Sequence, residues 1–393
     1  MEYSPFLPEV KENPYPYYAD LRQHAPVYPI PDTGLWAISR YDEVLYVFKN
    51  PQLFSSSAFF PMIFGDLNPF PPQAPPMISC DPPDHTRLRK LVNRAFTPRR
   101  IASLESHIGE VVRQLIEQMA THSTCDLVRD FSAPLPVIVM AELLGVEPER
   151  QQDFKRWTND IIFATQVMGL TSTDRARILQ SIADFRAYFE AAIVRYRRHP
   201  GDNLVSDLVR AEEENQTLTA DEVLTMAVFL LLAGNETTTN LIGSAVVALL
   251  AHPQQLAKVR ANPALIRQAV EETLRYESPI QLIPRQTTQD VEIAGTAIPA
   301  GSLVLPLIGS ANRDESIFPD PDRFDITRDT EGHLAFSFGI HYCLGAQLAR
   351  LEGKIALQAL LARFSHLARR DDLVTLVESA FVRGPKTLPL TFA

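Results

Sequence analysis

A cysteine between two glycines, where irregular chain turns into a helix, is the strongest chemical signal in the sequence. Cys343 lies in AFSFGIHYCLGAQLAR, residues 335–350, just before an amphipathic pattern. Free N–H groups and the dipole at a helix N-terminus stabilise a thiolate, which is a strong metal ligand. Gly339 and Gly345 let the backbone approach a flat, bulky group. Because a lone cysteine is usually an inert small hydrophobe, the surrounding pattern, and not the thiol alone, favours metal ligation.

A long apolar segment with a polar centre is the second signal. Residues 223–251 read VLTMAVFLLLAGNETTTNLIGSAVVALLA. About 20 apolar residues can span a bilayer, but a carboxylate, Glu236, beside Thr237 and further polar residues would be costly at mid-membrane. The segment therefore predicts a long helix through the core of a large soluble protein. Its polar centre indicates that a neighbouring group there requires polarity.

Composition and charge exclude several classes of protein. The chain has 393 residues, 46% hydrophobic and 21% charged, which is ordinary globular usage. A net charge of -10 argues against general nucleic-acid binding. Cys80, Cys125 and Cys343 are widely scattered, which argues against a disulfide framework or a zinc site. The first thirty residues carry charges and prolines and lack an apolar signal core, so we expect a soluble, cytoplasmic protein.

The elements that must position these groups are mainly helical. Apolar residues three and four apart predict helices over most of residues 84–275, and a last helix from about Gly345 to Phe364. Between them, residues 290–309 contain two short β-rich runs separated by Ala-Gly turns, which predict a small hairpin. We find no internal repeat and no separating linker. The chain is therefore predicted to form one domain over residues 1–393.

Residues 55–80 predict a long irregular loop. The segment is rich in proline and aromatic residues and contains no lysine or arginine. Long loops in compact domains are often binding elements, although such a loop can equally cover apolar surface. The candidates for an apolar substrate lining in this loop are Phe59, Phe60, Met62 and Phe64.

Four motifs, in order along the whole chain, resemble those of the cytochrome P-450 monooxygenases. The segment around Cys343 resembles the haem-ligand loop of that family. ETLR, Glu272–Arg275, resembles its Glu-x-x-Arg; PDRF, Pro321–Phe324, its meander motif; and AGNETT, Ala233–Thr238, its oxygen-activating helix centre. Ser337 departs from the usual glycine, and we expect it to affect loop packing slightly and not ligation. The resemblance implies a mainly α cytochrome P-450 fold, a triangular helical core around haem with a minor β region.

The resemblance also assigns site residues. Cys343 is the implied thiolate ligand of one haem b, a ligation that favours O–O cleavage. Further haem contacts, mostly to the propionates, are implied for Ala233, His85, Arg89, Arg285 and His341. Because His85 and Arg89 lie four residues apart on one helical face, both side chains can reach one group. Glu236 and Thr237 form the implied proton-delivery pair, and the cost of burying an unpaired carboxylate favours a function for Glu236.

A structural network is implied as well. Glu272 and Arg275 are one helical turn apart, and with Arg323 they resemble the Glu-Arg-Arg network of the family. Its expected role is to lock the meander against the core. Bidentate guanidinium pairing suits that role, so lysine should not replace Arg275.

The predicted reaction inserts one oxygen atom from O2 into a bulky apolar molecule, by hydroxylation or epoxidation. Polyketides, terpenoids, steroids and fatty acids are the expected classes, in secondary metabolism, and Ile283 and Phe381 are further candidate contacts. One alternative is a peroxide-driven fatty-acid hydroxylase, whose central helix typically lacks the acid and threonine pair. The other is a non-catalytic haem protein for gas sensing or electron transfer, which usually carries a signalling domain.

A basic segment in an acidic protein bears on partners. HTRLRKLVNRAFTPRR, residues 85–100, contains six lysine or arginine residues and no acid. It is either a solvated helix face or a docking patch for an acidic electron donor, since charged patches steer encounters. The resemblance implies a ferredoxin, supplied by its reductase, as that donor. We expect a monomer with neither nucleic-acid nor membrane partners.

Overall fold

Helices dominate the structure, a computed structural model that describes residues 2–164, 170–213, 216–370 and 374–392. The chain contacts group into two units, each made of separate stretches. The first comprises Met1–Ser55, Ser106–Leu135 and Thr237–Ala393, and the second comprises Ser56–Glu105 and Pro136–Glu236. A single domain over residues 1–393 stays a prediction.

The helices confirm the predicted helical region and the helix after Cys343. Within the described ranges the α-helices are α1 (Pro8–Glu12), α2 (Tyr15–His24), α3 (Tyr41–Lys49), α4 (Phe59–Phe64), α5 (Asp84–Ala95), α6 (Pro98–Ser103), α7 (Glu105–Met119), α8 (Pro134–Leu144), α9 (Gln151–Phe163), α10 (Ser172–Arg198), α11 (Leu204–Arg210), α12 (Ala220–Ala251), α13 (Pro253–Ala261), α14 (Ile266–Tyr276), α15 (Ile308–Ala311) and α16 (Ala346–Arg363).

The largest sheet belongs to the first unit. Its strands are β1 (Val27–Ile30), β2 (Leu35–Ile38), β3 (Phe54–Ser55), β7 (Arg285–Thr287) and β10 (Leu303–Pro306), in the spatial order β1-β2-β10-β7-β3. Strand β10 pairs parallel to β2, and the other pairings are antiparallel. Strand β7 begins at Arg285, so the sheet holds one of the predicted haem-contact residues in place.

The remaining strands form small separate sheets. They are β4 (Thr124–Asp126), β5 (Glu212–Glu213), β6 (Gln216–Thr217), β8 (Val291–Ile293), β9 (Thr296–Ile298), β11 (Leu367–Arg369), β12 (Thr375–Leu376), β13 (Pro385–Thr387) and β14 (Pro389–Phe392). Strands β8 and β9 confirm the predicted hairpin. Its turn residues Ala294 and Gly295 both have positive φ, as a tight two-residue hairpin turn requires.

Helix α12 is the longest helix of the structure, with 32 residues. Two glycines allow close packing along it. A Cβ atom added to Gly234 would lie 2.6 Å from the Met140 Cε atom in the second unit, and one added to Gly243 would lie 2.5 Å from Pro385 in the first. None of the helices in the described ranges combines the length and apolarity that crossing a membrane requires.

Residues 55–80 are less irregular than predicted. They contain α4 and short 3-10 turns at Gly65–Leu67 and Met77–Ser79. Helix α4 forms because Phe60 and Phe64, one turn apart, pack on the Phe70 ring, with centroid distances of 4.6 and 6.4 Å. The local pattern is dominated by prolines and could not reveal this tertiary support.

Candidate functional site

The loop that carries Cys343 folds back on itself before α16 begins. The Cys343 N–H donates to the Phe336 carbonyl at 3.0 Å, and the Tyr342 N–H donates to the Gly339 carbonyl at 3.1 Å. These bonds place the thiol two residues before the N-cap of α16, Gly345. The predicted position of Cys343 at the mouth of a helix is therefore confirmed.

Two residues of this loop adopt left-handed backbone conformations. Gly339 has φ +71°, and a Cβ atom there would lie 2.9 Å from the Phe48 carbonyl oxygen, so only glycine fits. Ser337 has φ +59°, in the region that costs a non-glycine residue about 1–2 kcal/mol. Its hydroxyl is buried and has no hydrogen-bond partner among the described residues. Serine at this position therefore stores local strain that a glycine would avoid.

The three cysteines occupy different environments. Cys80 and Cys125 are buried, and burial raises the pKa of the Cys80 thiol to about 11 and that of the Cys125 thiol to about 12. Such thiols stay protonated and poorly reactive. Cys343 is only partly buried, and a Cβ atom added to Gly345 beside it would meet no atom within 4 Å. The position next to Cys343 is thus open.

The polar centre of α12 has two distinct faces. Asn235, Thr238 and Asn240 are buried, whereas Ala233 is exposed and Glu236 and Thr237 are partly exposed. Residues three and four apart share a helix face, so Ala233, Glu236 and Thr237 lie on one open face. The three predicted contacts on this helix are therefore brought together by the helix itself.

Glu236 is the titratable group on that face. Burial raises the pKa of its carboxyl group from 4.5 to about 7. A carboxyl group with a pKa near neutrality can both give and accept a proton at physiological pH. The pKa of Glu236 is therefore compatible with proton transfer, and its catalytic role stays a prediction.

In the first unit the other predicted contacts lie in the β region and in residues 335–345, the loop that carries Cys343 and is called the thiol loop below. Arg285 is 3% exposed, donates to the Pro284 carbonyl at 2.9 Å and lies over the Phe48 ring. His341 ends the short turn Gly339–His341 and is partly buried. Ile283 is buried, and Phe381 is partly buried beside the same segment, because its carbonyl accepts the Gln281 N–H at 2.8 Å.

In the second unit the predicted contacts lie on α5 and α4. His85 is buried and Arg89 is partly buried, one turn apart on α5. On α4, Phe60 and Phe64 are buried in an aromatic cluster that also contains Phe70 and Phe229. Phe59 and Met62 are partly exposed. The four α4 candidates therefore divide into two core residues and two that can still contact a ligand.

The Glu272–Arg275 pair is present, but Arg323 joins it differently from the prediction. Two hydrogen bonds of 2.8 Å connect the Arg275 guanidinium to Glu272, and both side chains are 0% exposed. Arg323 contributes only its carbonyl oxygen, while its side chain is 63% exposed and pairs with Asp325. The second cation at Glu272 is Arg328, with its Nε atom at 3.4 Å. The predicted Arg323 side chain is therefore corrected to Arg328.

Comparison with known proteins identifies the family. The cytochrome P450 family model matches residues 38–392. The chain belongs to the cytochrome P450 family. The vitamin D(3) 25-hydroxylase of Pseudonocardia autotrophica is 41% identical over 97% of this chain and 94% of its own, and the 6-deoxyerythronolide B hydroxylase of Saccharopolyspora erythraea is 39% identical over 96% and 95%. The structure of cytochrome P450 CYP109Q5 from Chondromyces apiculatus matches with a TM-score of 0.90 and 45% identity, over 99% of this chain and 97% of that one.

The family result settles the fold and the reaction class. The chain has the mainly α P450 fold with small sheets, and it is a monooxygenase of the haem-thiolate type. P450 monooxygenases use O2 and redox partners and act on apolar substrates. Haem fits the residues present in this P450, because Gly345 leaves space beside Cys343 and the first unit also contains a buried guanidinium, Arg285, a group that binds carboxylates well.

The sequence reasoning missed two features of this P450. Glu352 on α16 is a buried carboxylate, and its signal was available, because Leu348 and Ala356, four residues away on either side, are apolar and buried. Around the thiol loop, Arg350 contacts both Phe336 and Glu271. That contact joins three separate elements, so no local pattern could have revealed it.

Proposed function

We propose that this P450 hydroxylates or epoxidises a bulky apolar molecule of the polyketide, terpenoid, steroid or fatty-acid class in secondary metabolism. The observation that carries the proposal is the Glu236–Thr237 pair on the open face of α12, with the pKa of Glu236 near 7. Relatives named as hydroxylases of vitamin D(3) and of 6-deoxyerythronolide B support a bulky apolar substrate. The partly exposed Phe59 and Met62, with Ile283 and Phe381, are the proposed contacts.

The residues proposed to hold the cofactor are those that the sequence indicated. Cys343 would bind the iron of haem b through its thiolate, and Ala233 would lie against the ring. His85, Arg89, Arg285 and His341 would bind the propionates through charge-assisted hydrogen bonds. Bound haem supplies a redox-active iron whose thiolate ligand favours cleavage of the O–O bond.

The proton-handling role of this chain falls to two side chains. Glu236 would release a proton from its carboxyl group and then take up another proton from solvent, because its pKa of about 7 allows both protonation states at neutral pH. The Thr237 hydroxyl, which can donate and accept at once, would hold the proton-bearing water in place. Peroxide-driven hydroxylases typically lack such a pair, so the O2-dependent reaction is favoured over that alternative.

Replacing Glu236 by glutamine tests this function. We expect product formation to fall by about 10²-fold, with the consumed electrons released as hydrogen peroxide, and Thr237→Ala to act in the same direction. Product and peroxide per NADPH would be measured with an apolar compound that shifts the haem spin state. Thr239→Ala is the matched control, because the Thr239 hydroxyl donates to the Ser132 carbonyl at 3.1 Å. Unchanged product yield in Glu236→Gln would contradict the proposal.

We also propose a ferredoxin, with its reductase, as the electron donor, docking on the basic segment at residues 85–100. Within this segment Arg87 bonds to Glu222 and Arg100 bonds to Asp207. Arg94 and Arg99 line a cleft of about 640 Å³, and they are the candidates for contact because both are exposed. A monomeric, single-domain, cytoplasmic enzyme completes the proposal.

Charge reversal tests the docking surface. The double variant Arg94→Glu with Arg99→Glu should slow reduction by a plant-type ferredoxin at least 10-fold at low salt and remove most of its salt dependence. The matched control reverses Arg197 and Arg198, two exposed arginines at the end of α10. A reduction rate and a salt dependence that both equal those of wild type in the first variant would reject this surface.

A further inference from the structure

Phe336 is the residue on which the thiol loop closes. Its carbonyl accepts the Cys343 N–H at 3.0 Å, and its ring is buried. The Arg350 guanidinium covers this ring, with its central carbon 4.3 Å from the ring centroid. A guanidinium in this position is attracted to the negative face of the aromatic ring. Phe336 is thus fixed both through its backbone and through its ring.

Arg350 is itself held from α14. Its Nε and Nη2 atoms donate to the two carboxylate oxygens of Glu271, at 2.6 and 3.0 Å. Burial raises the pKa of Glu271, but hydrogen bonds from His333 and Arg350 outweigh this and bring it down to about 2. Glu271 therefore stays ionised, and the planar fork sets the orientation of the guanidinium.

The same carboxylate anchors the start of the loop. The His333 Nε2 atom donates to Glu271 at 3.1 Å, while its Nδ1 atom accepts the Ala335 N–H at 3.2 Å. At the other end of the loop, Arg350 donates to the Tyr342 hydroxyl at 3.3 Å. One ion pair therefore contacts the segment before Phe336, the Phe336 ring, and the residue that precedes Cys343.

We propose that Arg350, oriented by Glu271, is a positioning residue that keeps the Cys343 thiolate in its ligating place. The inference rests on the proposed ligation of haem by Cys343. It adds a second ion pair, Glu271–Arg350, which is separate from the Glu272–Arg275 pair. Lysine would keep the charge opposite Glu271, but it has neither a planar face for Phe336 nor a fork for the carboxylate. Loss of the contact between Arg350 and Glu271 frees the Phe336 ring and loosens the loop that carries Cys343.

The test follows the thiolate signature and not turnover. The ferrous carbon monoxide complex would be titrated with urea below the unfolding transition, and the rate at which the thiolate Soret band is lost would be recorded. We expect Arg350→Ala to lose the band at least 10-fold faster than wild type, Glu271→Gln to act in the same direction, and Arg350→Lys to be intermediate. Because the two residues act as a unit, the double variant should lose the band no faster than Arg350→Ala.

Two further comparisons separate this role from general stability. Arg113→Ala removes an exposed ion pair with Glu110 and Glu117 on α7 and should leave the band loss unchanged. Hydrogen exchange of residues 335–345 should increase in Arg350→Ala, while the α-helices keep the protection that they have in wild type. Band loss at the wild-type rate in Arg350→Ala and Glu271→Gln would overturn the inference. Absence of the thiolate band in wild type would instead overturn the proposed ligation itself.

Discussion

Arg275→Lys is expected to lower the free energy of unfolding by about 3 kcal/mol or more, because it breaks a fully buried ion pair. The guanidinium makes two bonds to Glu272 and further bonds to the carbonyl oxygens of Asn312 and Pro321, at 2.9 and 3.0 Å. A lysine ammonium keeps the charge but cannot reach these acceptors in one planar arrangement. The carboxylate and the carbonyl oxygens are then left buried and poorly bonded.

The measurement is urea unfolding of the two proteins, followed by far-UV circular dichroism. Arg260→Lys is the matched control, since Arg260 donates to the carbonyl oxygens of Leu361 and Phe364 but faces no buried carboxylate in these bonds. We expect that control to lose about 1 kcal/mol. A loss in Arg275→Lys no larger than in the control would show that the ion pair does not stabilise the meander.

Glu352→Gln is expected to change how stability depends on pH. Glu352 is 2% exposed, its Oε2 atom has no hydrogen-bond partner in the described part of the chain, and burial raises its pKa from 4.5 to about 8. An acid whose pKa is raised by folding binds more protons in the folded state. The contribution of Glu352 to the free energy of unfolding is therefore most favourable below pH 4.5. It falls as the pH rises to about 8 and stays constant above that pH.

The glutamine variant removes this loss because it carries no charge at any pH. Relative to wild type, its free energy of unfolding should rise by about 3 kcal/mol between pH 6 and pH 9, because about two pH units separate pH 6 from the folded-state pKa. Urea unfolding across that range measures the difference, to which Glu236 contributes nothing because both proteins contain it. Glu117→Gln, at an exposed site on α7, should stay parallel to wild type. A difference that is constant with pH would contradict the account of Glu352.

Periodic elements could be predicted from the sequence, and segments without periodicity could not. Helix α16 begins and ends one residue inside its predicted bounds, and the Ala294–Gly295 turn identified the hairpin of β8 and β9. Helix α4 was missed, because its support comes from Phe70 outside the helix. The local sequence is sufficient to predict a long helix with a regular apolar pattern or a turn with typical turn residues. A six-residue helix is stable only through its tertiary contacts.

The same limit applies to side chains of the site. Cys343 and the Glu236–Thr237 pair were identifiable, because each combines a residue type with a position on a helix or just before one. The meander contains no regular helix that would fix the direction of its side chains. The sequence therefore did not indicate that Arg328, and not Arg323, directs its side chain to Glu272. Glu352 was predictable from its apolar neighbours four residues away.

The axial ligand is the central claim, and one spectrum tests it most directly. Wild-type protein and Cys343→Ala would be reduced with dithionite, exposed to carbon monoxide and compared by absorption. We predict the red-shifted Soret band of a thiolate-ligated haem in wild type and its complete loss in the variant. A band that is absent from wild type, or that survives the substitution, would show that Cys343 is not the ligand and would remove the basis of the proposed site.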